Sequence, residues 1–147
     1  KTQKWDPYLA ASIAEFLRLQ CLQKKNSFSF ETVMSHSSKV ELLKKAKNMG
    51  YRVYLYFTCT ETPKINVQRV DIRVSKGGHA VPEEKIITRY YRTLNLLSDI
   101  VAVSDRAYIF DNSYKMERFA EITSDKKLAI FSQKIPAWFR QYYLDKS

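Results

Sequence analysis

The stretch YRVYLYFTC, residues 51–59, decides the fold class: it is dominated by aromatic and apolar side chains and carries one charge, Arg52. Its nearly continuous apolar character predicts an internal strand covered on both faces. Before it, residues 38–49 place Val40, Leu43 and Ala46 at helical spacing and end at Gly50, the residue suited to a left-handed helix cap. Further back, Ser27 to Phe30 reads as a short strand. Pro7 to Lys25 reads as an amphipathic helix, with Leu9, Ile13, Phe16, Leu17 and Leu22 at three- and four-residue steps.

After residue 59, Pro63 opens a helical segment through Val74, Gly77 and Gly78 interrupt it, and Pro82 starts a helix whose Ile86, Tyr90, Leu94 and Leu97 share one face. Arg106 to Phe110 is a compact strand ending in the polar Asp-Asn-Ser. Residues 116–123 and 127–133 then predict an antiparallel hairpin around SDKK. This order of elements implies an α/β fold with a mostly parallel sheet wrapped by helices, because parallel neighbours need crossover connections, and with a C-terminal antiparallel hairpin. One domain over residues 1–147 is expected, with a helical lid at about 63–98 and a hairpin and helix at about 114–147.

Composition narrows the class. At 147 residues, 45% hydrophobic and 14% aromatic, the chain has material for one ordinary core. No run of 18 apolar residues occurs and the start KTQKWDP has no apolar export core, which argues against a membrane partner and for a cytoplasmic protein. Cys21 and Cys59 stand apart without metal-ligand spacing, so no metal site is expected. The formal charge of +10 predicts attraction to phosphate in some form, although scattered lysines also serve a solvated surface.

Three constellations carry candidate chemistry. In SFSFETVMS, residues 27–35, Glu31, Thr32 and Ser35 follow directly on the expected strand, where open α/β sheets bind ligands. Helix capping by Ser35 or Ser37, with a capping box from Ser38 to Glu41, is the structural alternative for the serines. In residues 68–94, Arg69, Arg73, Lys76, His79, Arg89 and Arg92 flank the glycine pair. Arginine forks neutralise phosphoryl oxygens, and a hairpin of helices can close over a nucleotide; a charged surface hairpin is the plainer reading. In the third, Asp111 and Asn112 at a strand end either make an Asx turn or touch a nucleotide. No GxxxxGK[ST] phosphate loop occurs in the sequence.

Taken together, SFSFETVMS, KNMGYRVYLYF, RVDIRVSKGGHAVPEEKIITRYYRTL and DRAYIFDNS resemble the zeta-toxin-like family of P-loop kinases, from about Asp6 to Ser113. The resemblance implies a kinase using ATP or GTP with Mg2+ to phosphorylate a small hydroxylated substrate such as a UDP-amino sugar. It implies Glu31 as the substrate-contacting acid with Thr32 and Ser35 beside it, and Arg69 as the arginine that reaches the transferred phosphate. His79 stands in GGHAVP at the second phosphate-side position, where the toxins carry an arginine, and Arg73, Arg89 and Arg92 are further cations.

The same resemblance places the Walker A loop and the catalytic base ahead of the region matching Asp6, so the chain as it stands is expected to lack the phosphate-loop strand and to be inert. That strand would fill a gap in the sheet between the strand ending at Glu31 and residues 51–58. An antitoxin-like protein is the implied partner. Two other functions are open on the residues: a non-catalytic, partner-binding remnant, or a nucleic-acid-binding module built on Tyr90 and Tyr91 beside Arg89 and Arg92. The scattered lysines argue against the latter.

Overall fold

The computed structural model describes residues 6–146. They fall into two units, Lys1–Thr32 and Val33–Ser147. The first unit is helix α1, Pro7–Gln23, followed by irregular chain. Asp6 starts the helix: its carboxylate accepts from the backbone N–H groups of Tyr8 at 2.9 Å and Leu9 at 3.3 Å, donors that have no partner within a helix's first turn. The Arg18 guanidinium lies 5.2 Å from the centre of the Phe30 ring. Residues 27–30 are not a strand, contrary to expectation: Ser27 and Ser29 are exposed, Phe28 and Phe30 half-buried, and their rings stack on each other. Alternation of exposure alone does not make a strand.

The second unit contains α2 (Ser38–Asn48), β1 (Tyr54–Cys59), α3 (Pro63–Ser75), α4 (Glu83–Asn95), α5 (Leu97–Val103), β2 (Arg106–Asp111), β3 (Glu117–Thr123), β4 (Leu128–Ile130) and α6 (Ala137–Tyr142). Gly50 closes α2 as the sequence predicts. At φ +86° it lets its own N–H reach the Lys47 carbonyl and the Tyr51 N–H reach that of Ala46, the paired bonds of a Schellman cap. The other end differs from expectation. Ser37 makes no side-chain cap; His36 Nδ1 accepts from the Ser38 N–H at 3.2 Å, and Glu41 pairs with Lys44 instead of completing a capping box.

The four strands form one sheet in the order β1-β2-β3-β4. β1 and β2 are parallel, with Leu55 opposite Ala107 and Phe57 opposite Ile109, while the β2–β3 and β3–β4 pairs are antiparallel. The fold is therefore α/β, but its sheet is mixed rather than mostly parallel. The predicted hairpin supplies two of the four strands, and the strand expected near residue 30 adds none, so β1 is an edge of the described sheet and no gap lies within it. A bulge between Ile109 and Phe110 lets Phe119 and Ala120 both turn inward from β3.

One face of this sheet carries the core. Leu55, Phe57, Ala107, Ile109, Phe119, Ala120 and Ile122 pack with Leu94, Leu97, Ile100, Trp138 and Phe139 from the helices. Leu97, Ile100, Ile109 and Phe139 are fully buried. The opposite face is open, so β1 alternates instead of being covered on both sides: Tyr54 and Tyr56 are exposed between buried Leu55 and Phe57. Tyrosine misleads a count of apolar residues because its ring stacks laterally while its hydroxyl meets water. Tyr56 stacks on Tyr108 at 4.9 Å between centroids, and Arg118 lies over the rings of Tyr108 and Phe131. An ion pair anchors the sheet's opposite end. Asp105 accepts from Lys47 at 2.6 Å and from the Val53 N–H at 2.7 Å, fixing the chain just ahead of both parallel strands.

Candidate functional site at the strand ends

Because β1 and β2 run parallel, their carboxyl ends, Cys59 and Asp111, lie side by side. In open α/β sheets this edge is where ligands bind. Here it is tied together by polar contacts. The Asn112 N–H donates to the Cys59 carbonyl at 2.7 Å. The Ser113 hydroxyl accepts from the Glu61 N–H at 2.8 Å and donates to Asp111 Oδ1 at 2.8 Å. Asp111 and Ser113 thus pair through their side chains rather than through the side-chain-to-backbone bond of an Asx turn, and Ser113 also stitches one strand end to the other.

The helical hairpin of α3 and α4 reaches this edge from both legs. From α3, Arg69 Nη2 donates to the Asn112 carbonyl at 2.7 Å and the Ser113 carbonyl at 3.4 Å. From α4, the Tyr90 hydroxyl donates to the carbonyls of Thr60 at 2.8 Å and Glu61 at 3.2 Å. The Glu61 carboxylate in turn accepts from the Ala137 N–H at the start of α6, at 3.2 Å. Burial pushes the Cys59 thiol up to about 12, and burial likewise raises the Tyr90 phenol, so both stay protonated and Tyr90 remains a hydrogen-bond donor.

The hairpin's turn explains its two glycines. Gly77 has φ +86°, and a Cβ at Gly78 would stand 2.7 Å from Arg73 Cγ and 2.9 Å from the Arg73 carbonyl oxygen. Arg73 Nη2 donates to the backbone carbonyl of His79 at 3.3 Å, which joins those two residues within the hairpin. Arg69, Asp111 and Asn112 are thus brought together at the strand ends, while Arg73 and His79 sit at the hairpin tip. Arg89 is half-buried on α4 and Arg92 is exposed near its end. Exposed Glu31 and Thr32 belong to the first unit; Ser35, half-buried, belongs to the second and donates its N–H to the Val33 carbonyl at 2.6 Å.

Tyr90 is buried and committed to Thr60 and Glu61, with the exposed Tyr91 packed edge-on against it at 5.2 Å, so Tyr90 itself offers no open face for stacking on a base. Glu61 is a site residue that the sequence reading passed over, whereas Ser113 was read only as part of the polar strand end and Tyr90 as a core or stacking residue. Glu61 had a legible signal: it lies two residues past the end of β1, as an acid also marks the end of β2. Among the described residues, no group of three or more His, Cys, Asp and Glu is placed to hold a metal, and no helix is long and apolar enough to cross a membrane.

An α/β unit with an arginine-bearing helical hairpin anchored to the carboxyl edge of parallel strands has a ligand-binding layout. The family model for zeta toxin matches residues 9–123, and the chain belongs to that family. It is also similar to an uncharacterised protein of Haemophilus influenzae (strain ATCC 51907 / DSM 11121 / KW20 / Rd), 33% identical over 63 residues. That match spans 43% of this chain and 45% of the Haemophilus protein. No solved structure matches.

Proposed function

We propose that the chain is part of a cytoplasmic kinase that moves the terminal phosphate of ATP or GTP, with Mg2+, to a hydroxyl of a small substrate such as a UDP-amino sugar. The observation that carries this reading is Arg69, which α3 delivers to the carboxyl edge of the parallel strands beside Asp111 and Asn112. Family membership supports phosphoryl transfer as the reaction class. A guanidinium there has the chemistry to neutralise charge on a transferring phosphoryl group, the main task of a protein in that reaction.

In this reading Arg69, with Arg73 and His79 from the hairpin tip, serves the transferred phosphate. Arg89, Arg92, Asp111 and Asn112 serve the nucleotide, and Glu31, Thr32 and Ser35 the substrate. The sequence has no GxxxxGK[ST] loop, and this reading further requires a phosphate cradle and a magnesium-binding hydroxyl. Mg2+ would enter with the nucleotide and supply charge neutralisation between its phosphates. An antitoxin-like protein covering the substrate side is the partner this reading calls for. The test is phosphorus NMR of full-length protein incubated with ATP, Mg2+ and UDP-N-acetylglucosamine. A new sugar phosphate resonance is expected, and ATP that stays intact with a panel of hydroxylated substrates would contradict the reading.

A further inference from the structure

The proposed function gives Arg69 to the transferred phosphate, yet its guanidinium is occupied by two backbone carbonyls of the turn after β2, at 2.7 and 3.4 Å. Those carbonyls are neutral acceptors, and Arg69 itself is exposed. The helix that carries it has no buried residue. With apolar Ile65, Val67 and Val70 only half-buried, α3 draws part of its positioning from polar contacts, and Arg69 ties it to the sheet. Its neighbour α4 is different, because Tyr90 and Leu94 are buried in the core.

We infer that Arg69 is a two-position side chain: without ligand it latches α3 to the Asn112–Ser113 turn, and a phosphoanion bound at the strand ends draws it off those carbonyls. The latch follows from the geometry; the release rests on the kinase reading. The exchange runs in that direction because a bond between two charged partners is roughly twice as strong as one to a neutral acceptor. The release needs only the exposed Arg69 side chain to turn, because Thr60 and Glu61, which lead into α3, stay tied to Tyr90 and Ser113. The consequence reaches the turn itself, whose Ser113 side chain bridges Glu61 and Asp111, so the state of Arg69 is felt at both strand ends.

The test is amide NMR on full-length protein. The Ser113 and Tyr114 N–H groups share peptide bonds with the two carbonyls that Arg69 grips, so Arg69→Gln shifts both resonances and speeds hydrogen exchange along α3 about tenfold. Arg73→Gln, which removes a contact internal to the hairpin, leaves those two resonances in place. Unmoved resonances and unchanged α3 exchange in Arg69→Gln overturn the latch. Adding ATP and Mg2+ to the wild type moves the same two resonances toward their Arg69→Gln positions. If other resonances titrate while these two stay fixed, the release is overturned and the kinase reading stands. If none titrates, the kinase reading and the release fall together, while the Arg69→Gln comparison still decides the latch.

Discussion

Replacing Tyr90 by Phe removes one oxygen from the point where α4 meets the end of β1. The lost hydroxyl donates one proton, shared between the Thr60 carbonyl at 2.8 Å and the Glu61 carbonyl at 3.2 Å. A typical hydrogen bond contributes about 1 kcal/mol net, and leaving a buried acceptor unsatisfied raises the loss to about 1–3 kcal/mol. Thr60 is only 3% exposed, which favours the upper part of that range, but the Cys59 thiol still reaches its carbonyl at 3.5 Å. We therefore expect a loss of about 1.5 kcal/mol, or about 4–8 °C in melting temperature for a domain of this size. In urea titrations the midpoint falls while the slope stays constant. Tyr91→Phe, at an exposed ring one residue away, changes stability by less than about 0.5 kcal/mol. If Tyr90→Phe melts with the wild type, the hydroxyl does not tie the hairpin to the strand end.

Three further perturbations test other parts of the account. Cys59 titrates near 9.0 when unfolded and is pushed up to about 12 by burial, so the folded state holds a proton that the unfolded chain releases; its stabilising contribution is complete below pH 9 and falls by about 1.4 kcal/mol per pH unit until about 12. Urea denaturation from pH 8 to 11 should show this slope reduced in Cys59→Ala, and equal slopes would count against a buried thiol. Burial raises the Asp105 carboxyl, but Lys47 and the Val53 N–H outweigh it and hold the group below 3.8, so Asp105→Asn costs about 1–3 kcal/mol at pH 7 and the difference from wild type shrinks as pH falls below that value. Gly78→Ala drives a Cβ against the Arg73 carbonyl, and limited proteolysis should cut the hairpin tip of this variant at least about threefold faster than wild type, with equal rates refuting the close approach.

The elements were legible where local chemistry sets them. Gly50, the Gly77–Gly78 pair and the β-branched strand residues each act through their own backbone, and α2, the α3–α4 hairpin, β2 and the C-terminal hairpin follow the sequence closely. What depended on partners was not. Residues 27–30 have the alternation of a strand without a ladder, and β1 has the composition of a covered strand with one open face, because burial is decided by neighbours distant in sequence. The site divides the same way. The Asp111–Asn112 strand end was readable from residue type and position, whereas the reach of Arg69 to it, across 43 positions of sequence, was not. Tyr90 read as a core or stacking residue because its hydroxyl's task lies 30 positions away, at Thr60.

Calorimetric titration of full-length protein with ATP and Mg2+ tests the central claim most directly. Saturable binding at one site is expected, weakened about tenfold or more by Arg69→Ala, which removes a charged partner of the phosphates. Absence of binding heat in the wild type, or equal affinity in Arg69→Ala, would contradict it.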